Sequence, residues 1–154
     1  MPNIIVVNLH GLINVPMGTR RALEELCIDK RFSATVVTDD STTMGTLKLC
    51  KDYVAWSPVD GELLTSLLKQ RAKVSMRKRL DQASLKSLGY KSYEDLASKI
   101  IKEGMRFSSL KKMRPYFALS PPKGGFKRSS RRQYREGGIL GENPELPSII
   151  KRMI

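Results

Sequence analysis

The sequence predicts a small α/β protein that joins a neutral folded head to a strongly basic C-terminal part. Short β-branched runs alternate with amphipathic stretches over residues 3–71, which is typical of a two-layer α/β domain. Residues 1–72 hold eight basic and eight acidic side chains, whereas residues 73–154 hold twenty and seven. The entire net charge of +13 therefore lies in the second part. A chain of 154 residues with 40% apolar content can bury one core, so a single domain with an appendage is expected.

The first strand and the first helix are predicted from an aliphatic run and the stripe that follows it. Residues Asn3–Leu9 form a β-branched run that is too short for a helix and leads into a glycine- and proline-containing loop. Thr19 is a candidate cap for the next segment. That segment carries apolar residues at helical spacing, namely Ala22, Leu23, Leu26 and Cys27.

Two further strands flank a second helix. The β-branched residues of Ser33–Thr38 predict strand two, which stops at a polar turn. Residues Met44–Lys51 have a partial helical stripe behind the possible caps Ser41 to Thr43. An aromatic and β-branched run, Tyr53–Trp56, predicts strand three, which ends before Pro58.

A third helix completes the predicted sandwich. Asp60 is a plausible cap, and four leucines form a stripe up to about Arg71: Leu63, Leu64, Leu67 and Leu68. The order β-α-β-α-β followed by a helix predicts a small ferredoxin-like two-layer sandwich, with a three-stranded antiparallel sheet covered by helices on one face.

The part beyond Ala72 is predicted to be helical first and extended later. A basic connector leads to one helix from Ser84 to Leu88 and to another that starts at Ser92 and ends before Gly104. Residues Tyr116–Leu119 are a short strand candidate, and the rest has almost no apolar periodicity. We therefore divide the chain into a head (residues 1–58), a helical extension (59–110) and an extended basic arm (111–154).

The residues that usually carry catalysis or metal binding form no recognisable motif. His10 is the only histidine, and the acidic pairs are adjacent in sequence, so their side chains diverge. Cys27 and Cys50 lack metal-ligand spacing and are expected to be reduced. No phosphate-binding loop, signal peptide or membrane-spanning stretch is present in the sequence. We expect no enzymatic activity, metal, cofactor, small-molecule substrate or membrane contact, and a cytoplasmic location.

The basic arm is the feature that predicts a function. Residues Lys111–Arg135 carry nine cationic side chains and no acidic one, which suits the neutralisation of phosphates. Four aromatic residues could stack on unpaired bases, namely Tyr116, Phe117, Phe126 and Tyr134, although Phe117 or Tyr116 could equally belong to the core. The Pro121–Pro122 pair and the Gly124–Gly125 pair suit a segment threaded between RNA helices, although a flexible linker has the same composition.

Five stretches of the chain, in this order and spacing, resemble a known family. They are Ile4–Pro16 (IIVVNLHGLINVP), Arg21–Leu26 (RALEEL), Thr43–Pro58 (TMGTLKLCKDYVAWSP), Leu119–Gly125 (LSPPKGG) and Glu136–Gly141 (EGGILG). The chain resembles, nearly end to end, the large-subunit ribosomal protein numbered thirty in the universal scheme, in its archaeal form, which is related to the eukaryotic protein numbered seven. The eukaryotic relatives carry a basic N-terminal extension that is absent here, which favours an archaeal source.

The resemblance implies a structural role on large-subunit ribosomal RNA. It implies 23S rRNA as the partner and a position near 5S rRNA, with other large-subunit proteins as neighbours and one copy per ribosome. Family members contact RNA through the loop after strand one, the turn before helix two and the Pro-Pro-basic-Gly-Gly segment. Together with the basic arm, this gives the candidate RNA-binding residues His10, Asn14, Arg20, Arg21, Thr43, Gly45, Lys48, Arg114, Lys123, Gly124, Gly125, Lys127, Arg128, Arg131, Arg132 and Arg135.

The chain departs from the family pattern at two of these contacts. The family usually has arginine where this chain has His10, and arginine where it has Met44, so a fixed charge is lost at each position. A free RNA-binding regulator or RNA chaperone is the alternative function. An enzyme on a ferredoxin-like scaffold is a third hypothesis, which the lack of an acid, base, nucleophile or metal constellation disfavours.

Overall fold

The computed structural model describes residues 2–154, which form one six-stranded sheet with helices on both of its faces. The strands are β1 (Asn3–Asn8), β2 (Ser33–Thr38), β3 (Val54–Pro58), β4 (Phe117–Ala118), β5 (Ser129–Gln133) and β6 (Gly138–Glu142). The helices are α1 (Met17–Glu25), α2 (Ser41–Leu49), α3 (Gly61–Arg71), α4 (Gln82–Ser87), α5 (Tyr93–Glu103) and α6 (Leu146–Met153). Short 3-10 turns lie at Phe107–Ser109 and Tyr134–Glu136.

The α/β class and the three central strands are confirmed, but the predicted extent of the sheet is wrong. Strand β1 pairs antiparallel with β2 on one side and β3 on the other. The sheet then continues in the order β4-β2-β1-β3-β6-β5. Strand β6 joins β3 in parallel, because the unpaired backbone groups of a sheet edge offer hydrogen bonds that a later segment can satisfy.

Both faces of the sheet are covered, so the prediction of helices on one face is also wrong. Ile5 and Val7 of β1 pack into a core with α3, α5 and α6, whereas Ile4 and Val6 pack against α1 and α2. All four side chains are buried. A continuous apolar run, rather than an alternating one, is the pattern of a strand that is buried on both faces.

The end of the basic arm is part of the fold rather than an extended appendage. Helix α6 buries four apolar side chains at positions i, i+3, i+4 and i+7: Leu146, Ile149, Ile150 and Met153. They belong to the same core as the leucines of α3. The strand candidate Tyr116–Leu119 is confirmed as β4, whereas the expectation of an otherwise extended arm differs from the structure at β5 and from β6 onward.

The helix boundaries follow the predicted caps in part. Helix α5 begins after Ser92, whose Oγ accepts a hydrogen bond from the Asp95 N–H (3.2 Å), and it ends at Gly104 in the left-handed conformation. The prediction of Thr19 as a cap is wrong, because α1 already begins at Met17 after Pro16 and Thr19 is buried inside it. Asp60 precedes α3 as predicted.

Gly138 is the glycine with the tightest surroundings. It begins β6 at the point where β5 and β6 pair in an irregular register, and a Cβ at this position would overlap the carbonyl group of Arg132. We expect Gly138→Ala to lower the free energy of unfolding by about 1–3 kcal/mol, because the backbone must shift to make room. Chemical denaturation of both proteins measures the difference.

Gly45→Ala is the matched control for this substitution. Gly45 lies inside α2, is exposed, and has no atom close to where its Cβ would be. Alanine at an exposed helix position is expected to raise stability by about 0.5–1 kcal/mol. Equal effects of the two substitutions would contradict the close packing of β5 on β6.

Candidate nucleic-acid interface

Strand β5 lies at the edge of the sheet and carries exposed cations from the basic arm. Arg131 and Arg132 are exposed on this strand, and Arg135 is exposed just beyond it. Within residues 2–154, none of the three forms an ion pair. Their charges are therefore available to an anionic partner.

The first cleft, called here the β1-end cleft, lies where β1 ends. It has a volume of about 280 Å³, and its lining includes His10, Asn14, Arg31, Ser130 and Arg131. The loop after strand one and the basic arm, which are more than a hundred residues apart in sequence, thus meet in one depression. His10 packs edge-on against the ring of Tyr53, with 5.1 Å between the ring centroids.

A buried asparagine fixes the loop that forms this cleft. The Asn8 Nδ2 donates a hydrogen bond to the Ile28 carbonyl (2.7 Å). Its Oδ1 accepts hydrogen bonds from the backbone N–H groups of His10 (3.0 Å) and Gly11 (2.9 Å). Because Asn8 is fully buried, these bonds hold the loop without competition from water.

The second cleft, called here the α2-end cleft, lies beside the last turn of α2. It has a volume of about 180 Å³, and its lining includes Lys48, Lys51, Trp56, Tyr134, Arg135 and Glu142. The head contributes the two lysines, and the basic arm contributes the arginine. The Gln133 side chain donates a hydrogen bond to the Asp52 carboxylate (3.1 Å), which holds the arm against the start of β3.

The glycine pair of the arm forms a turn that α6 holds in place. The Gly125 N–H donates to the Pro122 carbonyl (3.0 Å), and the Arg152 guanidinium donates to the carbonyls of Lys123 (3.4 Å) and Gly125 (3.0 Å). Gly124 and Gly125 have φ values of 79° and 71°, which favour glycine. The turn is a fixed element with an exposed Lys123, not a flexible linker.

A third and larger cleft lies between α6 and the residues that follow this turn. It has a volume of about 480 Å³, and Lys127, Arg128, Asn143, Glu145 and Arg152 are among its lining residues. The Arg128 guanidinium is 3.5 Å from the Glu145 carboxylate and lies over the ring of Tyr134. Arg128 is therefore partly neutralised, unlike the cations of the other two clefts.

The remaining predicted residues lie outside these clefts. Thr43 is buried, and its hydroxyl accepts a hydrogen bond from Arg106 (3.0 Å). Arg20 pairs with Glu24 (3.5 Å), and Arg114 donates to the Tyr116 hydroxyl (2.8 Å). The other three are exposed, with Arg21 on α1, Gly45 on α2 and Arg132 on β5.

The aromatic residues of the arm divide between core and surface. Phe117 is fully buried and stacks on Phe107, with ring centroids 4.3 Å apart, so of the two roles left open for Phe117 the core role is confirmed. Phe126 packs against Phe32 (6.2 Å) and is half-buried. Tyr134 remains at the surface of the α2-end cleft.

Two cations of the β1-end and α2-end clefts were absent from the predicted set. Arg31 lies just before β2, and Lys51 lies just before β3. Both positions lie at the end of the sheet where β1 ends, because β2 and β3 run antiparallel to β1. Each residue lies just before a predicted strand, but the neutral net charge of the head did not indicate a basic surface there.

The described residues offer no catalytic arrangement. Within residues 2–154, no group of three or more His, Cys, Asp or Glu side chains could hold a metal ion. Both cysteines are free, and burial raises the pKa of the Cys50 thiol to about 11. Burial, and then the charge of Asp29, raises the pKa of Cys27, so neither thiol is an activated nucleophile. No helix in the described part of the chain is long and apolar enough to cross a membrane.

Sequence similarity identifies the family. Residues 4–54 match the family model described as ribosomal protein L30p/L7e. The large ribosomal subunit protein uL30 of Nitrosopumilus maritimus is 36% identical over 151 residues, covering 98% of this chain and 97% of the relative. The chain belongs to the uL30 family. Two further relatives support this assignment. The uL30 protein of Cenarchaeum symbiosum is 34% identical over 150 residues, covering 97% of each chain. The uL30 protein of Korarchaeum cryptofilum is 36% identical over 156 residues, covering 100% of this chain and 96% of the relative.

Membership in the uL30 family confirms the resemblance inferred from the sequence. The uL30 proteins are structural, non-enzymatic constituents of the large ribosomal subunit, so the expectation of a non-enzymatic protein is confirmed. In archaea the ribosome lies in the cytoplasm, which agrees with the predicted location. The matched relatives cover nearly the whole chain, including the strands and helix formed by the arm.

Proposed function

We propose that the chain is a structural constituent of the large ribosomal subunit that binds 23S rRNA, close to 5S rRNA, through the head loops and the basic arm. The observation that carries this proposal is that the two parts meet. The β1-end cleft and the α2-end cleft each combine cations of the head with an arginine of the arm. A polyanion that crosses this end of the sheet would contact both parts at once.

The electrostatics favour RNA over a small anion. The two clefts hold five cations, of which none is paired within residues 2–154: Arg31, Lys48, Lys51, Arg131 and Arg135. Phosphates spaced along a backbone match such dispersed charges, and each neutralised phosphate releases condensed counterions. His10 and Tyr134 add ring surfaces on which an unstacked base can lie.

The proposed residues carry unequal parts of this contact. We assign direct phosphate or base contact to the exposed side chains that form no ion pair within residues 2–154: His10, Asn14, Arg21, Lys48, Lys123, Lys127, Arg131, Arg132 and Arg135. Gly45, Gly124 and Gly125 would allow close approach of the RNA backbone. Arg20, Thr43, Arg114 and Arg128 make intramolecular contacts, and would act by supporting the surface.

The division of the chain is proposed in functional terms. Residues 1–58 would supply the loops that recognise RNA by shape, residues 59–110 would cover the second face of the sheet, and residues 111–154 would supply most of the charge. One copy would act in each ribosome, beside other large-subunit proteins.

A binding experiment with large-subunit rRNA tests the proposal. Purified protein is titrated into 23S rRNA and into an unrelated structured RNA of equal length, at several salt concentrations. A subunit constituent should keep a preference for 23S rRNA as salt rises, because shape-specific contacts persist when counterion release weakens. Equal affinity for both RNAs at every salt concentration would contradict the proposal and favour the free regulator or chaperone.

A further inference from the structure

A basic hairpin lies outside the three clefts. Residues 73–79 (KVSMRKR) fold back on themselves, and the backbones of Lys73 and Arg79 form an antiparallel β-bridge. The Val74 N–H donates to the Lys78 carbonyl (3.0 Å). None of these residues lines the clefts described above.

The base of this hairpin is fixed on the fold. The Leu80 N–H donates to the Ala72 carbonyl (3.0 Å), and both residues are buried. The Arg114 N–H donates to the Lys73 carbonyl (2.9 Å) from the basic arm. The tip is closed by the Lys78 N–H, which donates to the Ser75 hydroxyl (3.3 Å). The hairpin is therefore presented with little freedom left to lose on binding.

The surface of the hairpin combines charge with an apolar tip. It carries four cations and no acidic residue, and within residues 2–154 none of the four forms an ion pair: Lys73, Arg77, Lys78 and Arg79. Met76 is 74% exposed between them. A single exposed methionine is ordinary on a protein surface. The position of Met76 at the tip of a rigid, cationic turn suggests that this surface binds an anionic partner.

We propose that residues 73–79 form a second RNA-binding element, which docks on a duplex region of the rRNA. The proposal rests on the function proposed above. Lys73, Arg77, Lys78 and Arg79 would contact phosphates on the two sides of the shallow minor groove, and Met76 would lie against the base edges within it. Methionine suits this role because its unbranched side chain adapts to an irregular apolar surface.

The charged part is tested by the double variant Arg77→Gln/Lys78→Gln. We expect about tenfold weaker binding to 23S rRNA and a salt dependence (log K against log [salt]) that is shallower by up to about 1.8, since each lost phosphate contact removes about 0.9. Hydroxyl-radical footprinting should show one protected duplex region lost, while the other protected regions remain. The matched control is Lys86→Gln/Lys91→Gln, which removes one exposed lysine of α4 and one exposed lysine just before α5 and should change neither measurement.

The apolar part is tested by Met76→Ala. This variant should lose protection in the same duplex region while the salt dependence stays as in the wild type, because no charge changes. If both hairpin variants show the same footprint and the same salt dependence as the wild type, the inference is overturned and the proposed function still stands. If the wild-type protein shows no preference for 23S rRNA, the proposed function itself fails. Thermal unfolding of each variant checks that the fold is intact.

Discussion

Replacement of Ile150 by alanine should lower the free energy of unfolding by about 3–4 kcal/mol. Ile150 is fully buried in α6 and belongs to the core that α3 and α5 share. Removal of three carbon atoms from such a site costs the lost burial and leaves a cavity, for a total of about 2–5 kcal/mol in buried aliphatic positions. Urea denaturation, followed by circular dichroism, measures the change.

Ile13→Ala is the matched control, because it makes the same chemical change at a residue that is 77% exposed. We expect its effect on the free energy of unfolding to stay within about 0.5 kcal/mol. If Ile150→Ala is as mild as Ile13→Ala, α6 does not share the cooperative unit of the sheet. The basic arm would then be an independent appendage, as the charge distribution suggested.

Strong local signals predicted most of the elements up to α5. Strand β2 was predicted with its observed bounds, and α3 was predicted from Asp60 to Arg71 because four leucines form a clear stripe. The cap at Ser92 and the glycine end of α5 were also predicted. Each of these elements depends mainly on its own residues, so the sequence pattern contains the necessary information.

The elements after β4 depend on partners that are distant in sequence. Strand β5 (SSRRQ) has no apolar alternation, since it is an exposed edge strand, and it exists through its pairing with β6. Strand β6 is interrupted by glycines and exists through its pairing with β3. Helix α6 is different, because its apolar residues do recur at helical spacing. The surrounding charge and Pro147 obscured that signal.

The candidate interface shows the same distinction. The sequence indicated the cationic residues of the arm, and the resemblance indicated the loop after β1. Neither could indicate that His10 and Arg131 line one cleft, or that Lys48 and Arg135 line another. Those neighbourhoods arise from the position of β5 at the sheet edge. Arg31 and Lys51 are part of the candidate interface because residues in or just after β5 line the same clefts.

Charge reversal of the arm, with Arg131→Glu, Arg132→Glu and Arg135→Glu combined, should weaken binding to 23S rRNA by about a hundredfold at physiological salt. Each phosphate contact contributes about 0.9 to the slope of log K against log [salt], so the loss of three contacts accounts for an effect of this order. The free energy of unfolding should barely change, because all three side chains are exposed and, within residues 2–154, none forms an ion pair or a side-chain hydrogen bond. Filter binding and thermal unfolding provide the two measurements.

The control for this triple variant makes an identical charge change elsewhere. Lys86→Glu, Lys91→Glu and Lys102→Glu reverse three exposed lysines around α4 and α5, outside the candidate interface. At physiological ionic strength, screening over about 8 Å should limit their effect on RNA bound at the clefts to a few-fold. Equal weakening by the two triple variants would mean that net charge alone governs binding. A dominant effect of the arm would mean that RNA contacts the edge strand β5 and the residues just after it, where Arg131 and Arg135 lie beside cations of the head.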